Sequence, residues 1–263
     1  MKYGFIGCGN MGGALATALS KKTDQILLCS KSGTSAAGLA EKLGCEWTQC
    51  NEEIVNQCQV ILLGVKPQMM AEVLAPLKSL FAQKRPLVVS MAAGLSLQQL
   101  EEMTAPQLPI IRIMPNTPVS IGKGMITFCH NGYVCTPQVD SFLKDFSEAG
   151  LFSRIAESQM DAASAVAGCS PAYAFMFIEA MADGAVACGL PRDKALQYAA
   201  QAVAGAAELL MQSGTHPGQL KDAVCSPGGS TIAGVRALEE QGFRGAVMDA
   251  ICAAFKRNQE LGK

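Results

Sequence analysis

The stretch Lys2–Gly13, K-Y-G-F-I-G-C-G-N-M-G-G, leaves this chain few choices of fold. Tyr3 to Ile6 have strand character and run straight into Gly7-x-Gly9-x-x-Gly12, after which an apolar helical pattern continues through Leu15, Ala18 and Leu19. A strand, a tight turn and a helix in that order open a dinucleotide-binding unit. Gly7 permits the turn, Gly9 leaves room for a pyrophosphate against the backbone, and Gly12 lets the helix pack close to the strand. The helix start then offers free N–H groups and a positive dipole end to the phosphates.

Strands and helices alternate for the next stretch of chain. Gln25–Cys29 is expected as the second strand, followed by Ser30-Lys31-Ser32. An NAD-preferring domain places an Asp or Glu about 20 residues beyond the glycines to accept from the ribose 2′-hydroxyl. Here two hydroxyls and a cation stand instead, which suit a 2′-phosphate, so NADPH is expected to be preferred, with NADH still usable. An Ala/Leu helix over Ala36–Leu43 ends at Gly44, a residue suited to a left-handed cap. A helix starts near Asn51. Gln59–Gly64 has the continuous apolar character of a strand buried on both faces, and Val65-Lys66-Pro67 closes it. Met69–Leu80 is expected to be helical with a break at Pro76. Leu87–Ser90 and Pro109–Ile113 are strands, ending in the loops Met91–Ser96 and Met114-Pro115-Asn116-Thr117-Pro118. Further strands at Gly124–Phe128 and Leu151–Ile155 flank a helix over Pro137–Ala149.

The alternation stops near Ile155. Beyond it lie alanine-rich helical windows at about 160–189, 193–213 and 244–261, with a kink at Pro171 and a break at Gly189-Leu190-Pro191. The fold expected is α/β: a Rossmann-type dinucleotide-binding domain with a mostly parallel sheet over 1–155, then an all-α domain over 156–263. Small residues such as Ala199, Ala200, Ala204, Gly205 and Ala206 surround the second long helix, so helices can approach it on several sides. Such a domain finds more burial by interleaving with a second copy, and a homodimer is expected.

Charge and cysteine usage narrow the function. The 21 Lys+Arg nearly balance 22 Asp+Glu, giving a net charge of −1 and no basic field for nucleic acid or a membrane surface. With a strand expected from residue 3, no signal peptide is expected. Polar residues interrupt every apolar stretch of about 20 residues, so no membrane span is expected. The 11 cysteines form no C-x-x-C pair and sit mostly in apolar runs such as Val186–Cys188. They read as reduced, buried thiols of an intracellular, cytoplasmic protein. With His130 and His216 the only histidines, no metal site is expected.

The segment His216–Ile232, H-P-G-Q-L-K-D-A-V-C-S-P-G-G-S-T-I, resembles the signature of pyrroline-5-carboxylate reductases. The resemblance extends over the whole chain. It takes in the glycine fingerprint, Val65-Lys66-Pro67, Ala92-Ala93-Gly94, Met114–Pro118, Pro171-Ala172-Tyr173, Lys221-Asp222 and Ser226–Thr231. It implies reduction of a cyclic imine, 1-pyrroline-5-carboxylate, to L-proline by hydride from NAD(P)H, in a dimer with intertwined helical domains. On this basis the cofactor is placed on Gly7, Cys8, Gly9, Asn10, Met11, Gly12, Ser30, Lys31, Ser32, Asn51, Val65, Lys66, Pro67, Ala92, Ala93, Gly94 and Asn116. The substrate falls to Ser226, Gly228, Gly229, Ser230 and Thr231, with Thr231 as the polarising catalytic residue.

The residues themselves are consistent with that picture. A glycine turn followed by a helix puts Ser230 and Thr231 at open backbone N–H groups, a nest for a small carboxylate. Helix capping alone is a second use for the same two residues. Neither histidine stands in a motif resembling a general base, and imine reduction asks for none, since a protonated imine is already electrophilic. One departure from the family stands at Ala167-Gly168-Cys169-Ser170, where the family usually has Ser-Gly-Ser-Gly. It keeps open a related imine or β-hydroxyacid reductase acting on another small carboxylate. A non-catalytic NADP-binding relative is the reading from another class.

Overall fold

A computed structural model describes residues 1–261. The strands β1 (Tyr3–Ile6), β2 (Ile26–Cys29), β3 (Glu46–Thr48), β4 (Val60–Leu63), β5 (Leu87–Ser90), β6 (Ile110–Met114), β7 (Gly124–His130) and β8 (Gly150–Arg154) form one sheet in the order β3-β2-β1-β4-β5-β6-β7-β8. Every neighbouring pair is parallel except β6 with β7. The helices joining them are α1 (Asn10–Ser20), α2 (Thr34–Leu43), α3 (Asn51–Gln57), α4 (Met70–Leu74), α5 (Lys78–Lys84), α6 (Leu97–Met103) and α7 (Thr136–Asp145). Strand order reverses between β1 and β4, so the crevice beyond their carboxyl ends is the topological switch point of the sheet.

Each face of the sheet is covered, because strand side chains alternate. Tyr3, Phe5, Leu28 and Leu62 pack with Leu15 and Leu19 of α1 and Phe142 and Phe146 of the α7 region. Ile6, Leu27, Ile61 and Leu63 pack with Ile54, Leu74, Phe81 and Leu100 from α3 to α6. Gly44 takes the left-handed cap expected of it (φ 65°). Around Pro76 the chain makes a 3₁₀ turn between α4 and α5.

Several elements depart from expectation. The three-residue β3 has no apolar alternation to announce it and lies at the sheet edge. The seventh strand runs past the expected Phe128, and His130 is its last residue, paired with Ile111. The helical window that begins near residue 160 is interrupted: Ser164–Gly168 forms a π turn, closed by Cys169 N–H donating to Ser164 O, before the helix resumes at Ser170.

The helical part contains α8 (Met160–Ala163), α9 (Ser170–Ala187), α10 (Arg192–Ser213), α11 (Pro217–Ala223), α12 (Ser230–Glu240) and α13 (Phe243–Leu261). The chain divides into two compact units, Met1–Cys169 with the residues from Ala254 onward, and Ser170–Ala253. Within the second unit only Ala182, Ala195 and Ala199 form a buried cluster, while Phe175, Met176, Tyr198 and Met211 are exposed. The helical run Glu157–Ala187 is long and apolar enough to cross a membrane by length and composition, contrary to the expectation that polar residues would break every such stretch. The serines and glycines within it do not lower its mean hydropathy far enough.

All 11 cysteines are free thiols. Burial describes Cys8, Cys29, Cys58 and Cys129, whereas Cys135, Cys188 and Cys252 are exposed, Cys188 in the turn just after α9 and Cys252 on α13. Burial pushes the Cys8 thiol from 9.0 up to about 12, and Cys29, Cys58 and Cys129 up to about 11. Between pH 9 and 11 the folded chain therefore retains protons that the unfolded chain releases, and stability falls as pH rises through that window. A loss of about 1 kcal/mol per buried thiol is expected by about pH 10. A urea midpoint no lower at about pH 10 than at about pH 8 would contradict it.

Candidate functional site

The register of β1 with β4 brings Gly7 and Gly64 side by side. Gly7 has φ 99°, a conformation that side chains disfavour, and a Cβ there would lie 2.8 Å from the Gly64 carbonyl carbon. A Cβ on Gly12 or on Gly64 would lie 2.4 Å from the Gly7 oxygen. Three glycines thus let α1 start directly above the crossing of β1 and β4. Gly64 lies outside the Gly7–Gly12 fingerprint, and its signal in the sequence is a glycine closing an apolar strand.

A Cβ on Gly9 would meet no protein atom within 4 Å. It would project into open space before the first turn of α1, whose N-cap is Gly9, with no side-chain cap and no acidic residue in that turn. The amides of Asn10, Met11 and Gly12 are the ones a helix leaves free. The cradle therefore fits a pyrophosphate. Cys8 contributes backbone alone, its thiol being turned inward onto the Cys29 carbonyl at 3.4 Å.

Beside this cradle a cleft of about 270 Å³ is lined by Gly7, Ser30, Lys31, Asn51 and Val65. Lys31 and Ser32 are exposed. Ser30 is 8% exposed and its hydroxyl accepts from Ala36 N–H at 3.1 Å, so it holds the start of α2. The Asn51 side-chain oxygen accepts from the Cys29 thiol at 3.1 Å. Among the other residues lining the cleft are Gln49, which fills the space over Gly33, and Glu72 from α4. No acid follows β2, but Glu72 brings one to the same cleft from a distant helix that sequence spacing does not reveal.

At the ends of β4, β5 and β6 stand the other expected positions. Lys66 is exposed, and Val65 and Pro67 are half-buried. Ala92 is buried, Ala93 exposed and Gly94 left-handed (φ 78°). Ser96 caps α6 by accepting from Gln99 N–H at 3.1 Å, and the Gln99 side chain accepts from Ser96 N–H at 2.8 Å. Asn116 is 8% exposed, and its amide is engaged at both ends, accepting from Met125 N–H and donating to the Ala167 carbonyl, each at 2.9 Å. Its side chain braces the Met114–Pro118 turn.

In the second compact unit, Gly228 is left-handed (φ 68°) and Gly229 is the N-cap of α12, with no side-chain cap. A Cβ on Gly229 would lie 2.4 Å from the Ser226 hydroxyl, so a side chain there would displace that hydroxyl. Ser230 and Thr231, both exposed, are the first two residues of α12, and no acid occupies that turn. An anion is favoured at such a start. His216 caps α11, its Nδ1 accepting from Gly218 N–H at 3.1 Å. Lys221 pairs with Asp222 at 2.5 Å, and that hydrogen bond raises its pKa. A larger hollow of about 470 Å³ lies at the opposite end of β1, among Tyr3, Gln59, Arg85 and Ser141, and contains none of the motif residues.

Comparison with known proteins covers the same ground. Residues 157–261 match the family described as pyrroline-5-carboxylate reductase dimerisation, and residues 2–94 that described as NADP oxidoreductase, coenzyme F420-dependent. The pyrroline-5-carboxylate reductase of Escherichia coli is 42% identical over 266 residues, covering 100% of this chain and 98% of that one. That of Pisum sativum is 40% identical over 261 residues, 98% of this chain and 95% of that one. Among solved structures, a pyrroline carboxylate reductase of Plasmodium falciparum with NADP bound superposes with a TM-score of 0.88 at 33% identity, over 100% of this chain and 98% of that chain. A pyrroline-5-carboxylate reductase of Coxiella burnetii does so with 0.92 at 30%, over 100% and 98%.

Proposed function

The chain belongs to the pyrroline-5-carboxylate reductase family, and from that premise we propose how its residues divide the work. It is an NAD(P)H-dependent oxidoreductase acting on a C=N bond, reducing 1-pyrroline-5-carboxylate to L-proline, the last step of proline biosynthesis. The observation that carries the assignment of roles is the uncapped, acid-free start of α12 at Gly229.

When bound, the nicotinamide cofactor supplies the hydride. The α1 amides and Gly9 hold its pyrophosphate, and the loops at Val65-Lys66-Pro67, Ala92-Ala93-Gly94 and Asn116 border its nicotinamide end. The backbone of Gly228, Gly229 and Ser230, with the Ser226 hydroxyl, receives the substrate carboxylate at the α12 dipole. Thr231 Oγ1 then hydrogen-bonds the ring nitrogen and orients the C=N carbon. No side chain has to remove a proton from carbon or oxygen, which agrees with both histidines being spent on backbone partners, Asn131 O for His130 and Gly218 N–H for His216. Positioning and exclusion of water account for the acceleration.

NADPH is the preferred cofactor in this reading, supported by the exposed Lys31 and Ser32 at the end of β2. Lys31→Ala is expected to raise the KM for NADPH about tenfold and leave that for NADH within about twofold. Equal changes for both cofactors would show that Lys31 does not read the 2′-phosphate.

Residues 156–263 form the dimerisation and substrate domain of a cytoplasmic homodimer. Supporting this, an apolar hollow of about 730 Å³ between Tyr173, Phe177, Met181 and Phe243 lies open within the second unit. The reaction itself is tested by following NADPH oxidation with 1-pyrroline-5-carboxylate and with six-membered and open-chain imino acids. Turnover restricted to the five-membered ring supports the assignment. Preference for another imine would transfer it to a related reductase and trace the difference to Ala167–Ser170.

A further inference from the structure

Arg112 stands in the middle of β6 and is 5% exposed, yet its Nε has no partner among the described residues. Its one ion pair is Nη1 to Glu157 Oε1 at 3.3 Å. The same carboxylate oxygen accepts from Leu97 N–H at 2.6 Å, where α6 begins. The Ser96–Gln99 capping box satisfies two other donors of that turn, so Glu157 completes it. One carboxylate thus fastens the exit of the Met91–Ser96 loop to the strand that leads into Met114–Pro118. Glu157 is also the first residue of the segment matching the dimerisation family.

We propose that Glu157 is a positioning residue for hydride transfer: by accepting from Leu97 N–H it sets the Ala92–Ser96 loop against the nicotinamide. The inference rests on the reading that this loop borders the cofactor. Without the carboxylate the loop keeps its chemistry and loses its anchor. Donor–acceptor distance is then poorly held, and a displacement of about 1 Å is enough to cost a hydride step an order of magnitude or more. A Glu whose only task was to neutralise Arg112 would act on stability alone.

Two double variants of the full-length enzyme separate these roles, because removing Arg112 avoids leaving a buried cation unpaired. Arg112→Met with Glu157→Gln retains an acceptor for Leu97 N–H, whereas Arg112→Met with Glu157→Leu does not. The first is expected to keep kcat within about threefold of the parent. The second is expected to lose about tenfold in kcat, with the KM for 1-pyrroline-5-carboxylate unchanged and a larger isotope effect from NADPH deuterated at the transferred position. Equal kcat and equal isotope effect in the two, whatever their melting temperatures, would overturn the proposal. Ala93→Asp separates it from its premise. If that variant binds NADPH as tightly as the parent by calorimetry, the loop does not border the cofactor and both fail. If it weakens binding while the double variants behave alike, the role of Glu157 fails alone.

Discussion

Gly9→Val is expected to leave the melting temperature within about 2 °C of the parent and to weaken NADPH binding about a hundredfold or more, while Gly12→Val loses both stability and binding. The two glycines stand three residues apart in one motif and answer to different neighbours. At Gly9 an added side chain meets no protein atom within 4 Å, and the backbone φ of −73° suits any residue. The folded chain has nothing to resist it. What it enters is the space before the free amides of α1, and displacing an anion from two or three charge-assisted hydrogen bonds forfeits about 3 kcal/mol or more. At Gly12 the same atom would lie 2.4 Å from the Gly7 oxygen, which is backbone and cannot rotate away. The helix must lift from the strand, at a cost of about 1–3 kcal/mol in packing, carrying the amides with it. Titration calorimetry with NADPH and thermal unfolding of both variants decide the matter. A Gly9→Val protein that binds NADPH like the parent would remove the pyrophosphate from this cradle.

Thr231→Val should lower kcat roughly thirtyfold or more without changing NADPH affinity or the melting temperature, and Thr231→Ser should recover most of the loss. Valine matches threonine in shape, and at an exposed second position of α12 it disturbs no buried contact. Only the hydroxyl is removed. A hydrogen bond to a charged partner is worth about 1.5–3 kcal/mol, which sets the size of the effect. Ser230 offers a built-in comparison, since Ser230→Ala should act mainly on the KM for the substrate. If Thr231→Val turned over like the parent, the ring nitrogen would have to be held by another group.

These expectations were legible to different depths in the sequence. The β1–α1 opening was written in full, because glycine spacing and apolar period report the same geometry from two directions. The uncapped start of α12 was equally visible, since Gly228-Gly229 before Ser230 carries its own backbone requirement. Three things were hidden. β3 is three residues long, with exposed or half-exposed side chains, so period-two alternation had nothing to act on. The hydroxyl of Ser30 and the amide of Asn116 are held by Ala36 N–H and by Met125 and Ala167, partners as distant as 51 residues, so their side chains hold the site together and leave the backbone to face it. Glu72 reaches the cleft beside Lys31 from another helix, and a rule that looks for an acid at the end of the second strand passes over it. The helical part was legible in its element types but not in its burial, because alanine-rich faces read alike whether they pack within the chain or remain exposed.

The edge position of β3 has an optical consequence. Its middle residue, Trp47, is the only tryptophan in the chain and is 45% exposed. Two residues further along, Gln49 lines the cleft of Lys31 and Asn51. All indole emission from this protein therefore originates at one solvent-facing corner of the sheet, a few residues from where a dinucleotide would place its adenosine half. Excited at the red edge of the indole band, where tyrosine and phenylalanine do not absorb, the unlabelled protein reports that corner alone and is blind to the helical unit, whose own aromatic residues are tyrosine and phenylalanine.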